Sequence, residues 1–317
     1  MKFFTRKLVV ILLAACISDA ANAAEAYPQR PVRIIVPVAP GGSIDAIGRI
    51  LADYLPKQLG GAFIVDNKVG ANTMIGSSYV STAAPDGYTL LLNSDALVTV
   101  SLSNTSGTTV DPVKGLRPVS MVVSSPAVLV VKPDLGAKTL EEFMALAKTR
   151  SLNVASTGAG TASQFTGMMF RQKAGLTWTD IPYNGSAPAL TALLGGHVDA
   201  MWSMAAPLLP SIKEGKIIAL GITSTARSAE LPSVPTIASV LAGFEVNNWT
   251  GLFAPPGTPK SVVDILSAAL SKMSKDPVYA SRLSTLGFVP IGSDAAALEA
   301  EIKSSLARWN SVLGKWK

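Results

Sequence analysis

The sequence predicts an α/β fold with largely parallel strands, on three observations. Short β-branched apolar runs alternate along the chain with stretches of helical period. The run Ile34-Ile35-Val36-Pro37-Val38 ends in the turn Ala39-Pro40-Gly41-Gly42-Ser43, and an amphipathic helix pattern starts straight after it. A second junction of that kind, residues 153–164, lies in mid-chain. Such a junction aims unpaired backbone N–H groups at a cleft, where they hold an anion. Two of them suggest two lobes closing on one small carboxylate.

In chain order, strands are expected at 32–38, 63–66, 88–93, 119–123, 128–132, 152–156, 179–183, 200–203, 217–223 and 245–254. The helix after the first loop puts Ile44, Ile47, Leu51 and Leu55 on one face, with Asp45, Arg49 and Asp53 opposite as a solvated charged face. Thr139 and Glu142 form a capping box, so a helix opens there with Leu140, Phe143 and Ala147 inward. Pro259 sits in a first helical turn ahead of the stripe Val262, Leu266, Ala269 and Met273. A terminal helix aligns Leu298, Ile302, Leu306, Trp309 and Leu313. Pro126 between two extended runs, and Pro255-Pro256-Gly257 after a third, suit paired crossovers between lobes, although plain strands have the same pattern.

Composition bounds the rest. The 317 residues suffice for one large or two medium domains, and hydrophobic content is 48% against 15% charged. Lys2, Arg6 and Lys7 precede an apolar run at 8–15 that is too short to span a bilayer, and Ala21-Asn22-Ala23 fits a signal-peptidase site. Residues 1–23 therefore read as an export signal. Cys16, the single cysteine, is a small residue of the signal core or, alternatively, a lipid-anchor site after Leu13-Ala14-Ala15. If the signal is cut at Ala23, the mature chain has no thiol for disulfides, zinc or nucleophilic chemistry. The net charge of +6 becomes +4 once Lys2, Arg6, Lys7 and Asp19 are removed. No basic run or aromatic-interleaved patch remains, so nucleic acid is not expected as a partner.

The catalytic inventory is thin. The one histidine, His197, lies in the turn Gly195-Gly196-His197-Val198-Asp199 and reads as an exposed turn residue. There is no Gly-x-Ser-x-Gly elbow, no metal-ligand spacing, no dinucleotide fingerprint and no P-loop. No cofactor and no metal are expected.

The loops are better candidates, and they point to binding. Gly41 and Gly42 let backbone approach a ligand closely. Ser43 caps the helix or offers a hydroxyl, and Asp45 near the first turn suits the helix dipole, although an ordinary capped turn has the same residues. The segment Ala155-Ser156-Thr157-Gly158-Ala159-Gly160-Thr161-Ala162-Ser163-Gln164 packs four hydroxyls and two glycines into a helix start, more donors than capping needs. With no Lys or Arg nearby, such donors suit a carboxylate held by dipoles and waters. Asn93-Ser94-Asp95 and Tyr183-Asn184-Gly185-Ser186 also follow strand C-terminal ends, where open α/β sheets bind ligands. Trp202 and Trp249 either wall an apolar ligand or fill the core.

Taken together, these stretches resemble the solute receptors of the tripartite tricarboxylate transporter family, the Bug receptors. The resemblance runs through Tyr27-Pro28 to Pro31, the 35–45 junction, Ala84-Pro85-Asp86-Gly87-Tyr88-Thr89-Leu90-Leu91, and Pro182-Tyr183-Asn184-Gly185-Ser186-Ala187-Pro188-Ala189. It continues in Leu194-Gly195-Gly196, Leu231-Pro232-Ser233-Val234-Pro235-Thr236 and Gly251-Leu252-Phe253-Ala254-Pro255-Pro256-Gly257-Thr258-Pro259. The resemblance implies a two-lobed, type II periplasmic binding protein fold with the ligand in the interdomain cleft. Residues 27–123 with 248–317 would make one lobe and 124–247 the other. It also implies a periplasmic location, a small carboxylate ligand, a membrane permease as partner, and a monomer.

The carboxylate-holding role falls on Val38, Ala39, Pro40, Gly41, Gly42 and Ser43, and on Ser156, Thr157, Gly158, Thr161, Ser163 and Gln164, with Asn93, Ser94, Asn184 and Ser203 beside them. The family often has an aromatic residue where this chain has Val38. Amino-acid-binding relatives place an aspartate near Met201-Trp202-Ser203-Met204, where this chain has Ser203 and no acid. An unpaired buried ammonium is costly, so the expected ligand lacks an amino group and has an aromatic or aliphatic body. The competing functions are a receptor presenting its ligand to a membrane kinase, and an exported hydrolase using Ser43 or Ser156 with His197 as base.

Overall fold

The structure is a computed structural model that describes residues 27–103, 110–224, 227–228 and 230–313. The expected signal segment, including Cys16, lies outside the described residues. In chain order the elements are β1 (Val32–Val36), α1 (Ser43–Leu59), β2 (Phe63–Asn67), α2 (Met74–Ser81), β3 (Thr89–Ser94), α3 (Ala96–Ser103) and β4 (Arg117–Val131). There follow α4 (Leu140–Thr149), β5 (Asn153–Ser156), α5 (Ala162–Ala174), β6 (Thr179–Pro182), α6 (Ser186–Leu194), β7 (Ala200–Met204), α7 (Leu209–Lys213) and β8 (Ile218–Ile222). The chain closes with β9 (Asn247–Ala254), α8 (Lys260–Lys275), α9 (Pro277–Thr285), β10 (Val289–Pro290) and α10 (Ala295–Leu313).

The strands run in the order β2-β1-β3-β9-β4-β7-β5-β6, with β8 and β10 also paired to β4. Pairs among β1, β2 and β3, and among β5, β6 and β7, are parallel, but every pair made by β4 or β9 is antiparallel. The sheet is therefore mixed rather than largely parallel. The cause is the return of the chain to the first half through β9, which runs antiparallel to both β3 and β4.

The two strands expected at 119–123 and 128–132 form one strand. Pro126 does not break β4 because the pairing changes partner there. Residues up to Pro126 pair with β9, whereas Ala127 onward pair with β7 and, from Val128, with β8. Proline has no N–H to offer, but its carbonyl still accepts the Ala205 N–H at 3.3 Å. The next amide, of Ala127, goes to the Thr223 hydroxyl at 2.9 Å.

Helix α1 buries Ile44, Ile47, Leu51 and Leu55 on the sheet as their spacing predicts. Gly48 sets the closeness of that contact, because a Cβ there would lie 2.9 Å from Val36 Cγ2. Asp45, expected on a solvated face, is instead only 1% exposed. The Thr139–Glu142 capping box forms as expected and opens α4. The C-terminal helix α10 buries Leu298, Ile302, Trp309 and Val312. The Trp309 ring lies 5.7 Å from that of Phe165 on α5, so α10 ties the two halves of the sheet together. Among the described residues no helix is long and apolar enough to cross a membrane.

Candidate functional site

A cavity of about 230 Å³ opens where the two halves meet. Ser43, Ala96, Ala162 and Ser186 line it, and each is the first residue of its helix, α1, α3, α5 and α6. Those helices follow β1, β3, β5 and β6, so the cavity sits beyond the C-terminal ends of parallel strands from both halves. The first N–H groups of a helix have no intrahelical partner, and each helix start carries roughly half a positive charge. No Lys, Arg or His lines the cavity. Any attraction for an anion there comes from backbone and hydroxyl donors.

The first loop is fixed from below. Gly41 has φ +84°, a left-handed conformation that glycine adopts without penalty, and its N–H donates to Asp45 Oδ2 at 2.9 Å. Asp45 also accepts from Arg49 Nε at 2.8 Å and from Asn67 Nδ2 at 2.9 Å. Burial disfavours its charge, but the bonds from Arg49, Gly41 and Asn67 outweigh burial and hold this carboxyl below the usual range. The Gly42 N–H turns back to the Ala39 carbonyl at 3.3 Å, and the first full helical bond runs from Ala46 to Gly42 at 2.9 Å. The amides of Ser43, Ile44 and Asp45 precede that bond and lead the helix toward the cavity.

The second loop is a knot of hydroxyls. Ser163 Oγ accepts the Thr157 N–H at 2.9 Å and lies 2.7 Å from Thr157 Oγ1 and 3.0 Å from Thr161 Oγ1. Thr161 caps α5, and its hydroxyl donates to the Gly158 carbonyl at 2.7 Å. Gln164 Oε1 accepts the Gly160 N–H at 2.8 Å. The expected surplus of donors is thus partly consumed inside the loop, where it sets the loop's shape.

Of the residues expected at the site, Ser43, Ser94, Thr157, Thr161, Ser163 and Ser203 line the cavity. Val38, Ala39, Pro40, Gly41, Gly42, Asn93, Ser156, Gly158, Gln164 and Asn184 do not. Several of these act one step behind the wall. The Val38 carbonyl accepts Asn67 Nδ2 at 2.9 Å. Asn93 is buried, with Nδ2 3.1 Å from Thr73 Oγ1 and 3.0 Å from Ser77 Oγ. Ala39, Pro40 and Asn184 are exposed. Trp249 walls the cavity, whereas Trp202 is a core residue beneath Gly167. His197 is exposed and does not reach the cavity, so neither Ser43 nor Ser156 has a histidine base.

The sequence reading missed part of the wall. Asn72 and Thr73 belong to a run of left-handed residues, with φ of +46°, +48° and +78° at Ala71, Asn72 and Thr73. Such backbone is strained for residues other than glycine. Asn93 and the bond from Ser77 Oγ to the Thr73 carbonyl (2.9 Å) hold it in place. Nothing in the local sequence announces that turn. Thr99, Ser125, Asn248 and Thr250 also line the cavity, as does Asp95 of the Asn93-Ser94-Asp95 run already singled out. Ser125, Asn248 and Thr250 were legible as polar residues within extended runs. Asp95 corrects a premise, because the cavity does contain an acid although the 201–204 stretch does not. Burial pushes its carboxyl up to about 7, against the attraction of Arg308 and with the repulsion of Glu301.

Residues 47–317 match the family described as tripartite tricarboxylate transporter family receptor. The solved periplasmic binding protein BugD is 35% identical, with a TM-score of 0.77 over 91% of this chain and 98% of its own. MatC from Rhodopseudomonas palustris, solved with malate bound, is 32% identical, with a TM-score of 0.75 over 90% and 99%. Another protein of that organism, solved with adipate, is 27% identical, with a TM-score of 0.79 over 90% and 97%. These likenesses show a mixed α/β periplasmic binding protein fold, and the family is one of binding proteins rather than enzymes. With its cavity ringed by helix starts, this chain belongs to the tripartite tricarboxylate transporter receptor family, the Bug or TctC solute receptors.

Proposed function

We propose that the protein is a periplasmic receptor that captures a small carboxylate without an amino group and delivers it to the membrane permease of a tripartite tricarboxylate-type transporter. One observation carries this reading: helix starts from both halves converge on a cavity that has no basic side chain. Backbone dipoles of that kind hold a carboxylate without an ion pair. The volume of about 230 Å³ lies below the roughly 300–1,000 Å³ of drug-sized pockets and suits a small solute. The malate and adipate bound by relatives are carboxylates of that size class and carry no amine.

The lobes in this reading are residues 27–123 with 248–317, and 124–247, in a monomer. The hinges are the change of pairing at Pro126-Ala127 and the return into β9 at Val246-Asn247. In this reading the ligand is gripped by the helix start at Ser43 and by Thr157, Thr161 and Ser163, with Ser94 and Ser203 at their flanks, while the rest of the loops at 38–43 and 156–164 and Asn93 support them from behind. Binding to the closed arrangement shifts the population toward it. A thermal-shift screen of the mature protein against small carboxylates tests the reading. A ligand at about a hundred times its Kd adds about 2.7 kcal/mol to stability, and a screen in which no carboxylate raises Tm overturns it.

A further inference from the structure

Four of the side chains that line the cavity have a buried polar atom without a hydrogen-bond partner: Asp95 Oδ2, Thr99 Oγ1, Ser125 Oγ and Asn248 Oδ1. Their residues are 6%, 0%, 3% and 4% exposed. Buried polar atoms are nearly always satisfied, because leaving one unmade costs about 1–3 kcal/mol. Four in one cavity mark a place where a ligand meets them: Thr99, Ser125 and a protonated Asp95 can donate to a ligand oxygen, whereas Asn248 Oδ1 only accepts. The four come from the β3–α3 junction, α3, β4 and β9. They form a polar patch distinct from the two loops expected to hold the first carboxylate.

The chemistry of the patch turns on Asp95. β3, α3, β9 and the 71–73 turn, which surround it, contain no charged residue. The charged groups that face it are Arg308 and Glu301 on α10; Arg308 Nη2 lies 3.4 Å from Glu301, while its Nη1 is buried without a hydrogen-bond partner and attracts the ionised form of Asp95. An ionised Asp95 would leave a patch of acceptors and hydroxyls with no cation in the cavity. A neutral Asp95 supplies an acidic O–H donor.

Resting on the carboxylate reading above, we propose that this patch takes the second carboxylate of a dicarboxylic ligand, with Asp95 as a neutral acid donating its proton in a hydrogen bond and with Thr99 and Ser125 adding their hydroxyls, so that capture takes up a proton. The proton comes from solvent and stays on Asp95, and no covalent bond of the ligand changes. The free carboxyl, pushed up to about 7 by burial, is already half protonated near neutral pH. A dianion beside it favours the neutral form further.

Calorimetry with adipate and malate, each at pH 6 and pH 8 in phosphate and Tris buffers, tests this. The wild type should take up close to one proton per ligand at pH 8 and bind about tenfold more weakly there than at pH 6. Asp95→Asn, whose amide donates at every pH, should lose both the uptake and the pH dependence and bind about tenfold tighter than wild type at pH 8. Ser125→Ala should weaken dicarboxylates more than monocarboxylates of the same length. Dicarboxylate binding with no proton uptake overturns the proposal, as does pH dependence that persists in Asp95→Asn. Glutamate or aspartate binding more tightly than glutarate or succinate also overturns it, since the patch would then be meeting an ammonium. If monocarboxylates bind and dicarboxylates do not, this proposal fails while the carboxylate reading stands. If no carboxylate binds, both fail.

Discussion

The backbone N–H of Gly41 donates to the carboxylate of Asp45, four residues ahead, at 2.9 Å. The bond turns the loop amide inward and ties the entrance of α1 to its own first turn. Asp45 is fixed in turn by Arg49 on its own helix and by Asn67 at the end of β2. A residue with the look of a solvated helix charge is thus the anchor of the loop beside the cavity.

Asp45→Ala should therefore destabilise the protein by about 1–3 kcal/mol in urea melts, the cost of leaving charged and backbone donors without their acceptor. It should also weaken carboxylate binding, because the loop loses its tether. The carboxyl's folded pKa is lowered, so its contribution is present above the unfolded value of about 3.8 and is lost as pH falls through the folded value. The gap between variant and wild type should close at low pH. An unchanged gap at pH 2 would assign the effect to packing.

Ser163→Ala tests the second loop. Removing the hydroxyl strips the Thr157 N–H of its acceptor and opens the contacts with Thr157 and Thr161. The expected loss is about 1–3 kcal/mol of stability, with reduced carboxylate affinity in calorimetry and an unchanged far-UV spectrum. Full affinity in a folded Ser163→Ala protein would remove this loop from the binding surface.

Asp53 offers a pH test away from the cavity. Bonds from Arg282, Lys57 and Tyr279 hold its carboxyl at about 2 and join α1 to α9. Arg282→Ala should bring its NMR titration back toward 3.8. The stability this group adds is present above its unfolded pKa and fades as pH falls from about 4 to 2. Wild type and variant should differ at pH 7 and converge at pH 2. A titration that stays near 2 in the variant would mean that Arg282 is not the main partner.

Trp309 is the side chain of α10 that reaches α5, and it is 1% exposed. Trp309→Ala should cost about 3–5 kcal/mol, the range for deleting a fully buried aromatic. A loss under 1 kcal/mol in a denaturant melt would show that α10 does not bind the halves together.

Much of this was legible in the chain. The apolar stripe of α1 packs as its spacing requires, and the Thr139–Glu142 box opens α4. The 40–43 and 155–164 junctions each bring a helix start to the cavity. Thr157, Thr161 and Ser163 line it because they sit in the strand-to-helix turn, where their hydroxyls bond to one another. Asp45 was misread because helical period describes only one helix, and Asn67, which covers it, arrives from another strand. Pro126 was read as an interruption because its local effect is to remove a donor, whereas the strand continues on partners far away in sequence.

Local pattern by itself determined the alternation of elements and the two turns that carry helix starts. Those properties depend on neighbours within a few residues. Only the tertiary structure decided that Asp95, Thr99, Ser125 and Asn248 line one cavity, and that burial pushes an acid there up to about 7. The Asp95 amide donates to the Trp249 carbonyl at 3.0 Å, next to Asn248, because β3 and β9 are neighbours in the sheet. The energy of a buried carboxyl depends on every group around it, and that is information which no single segment contains.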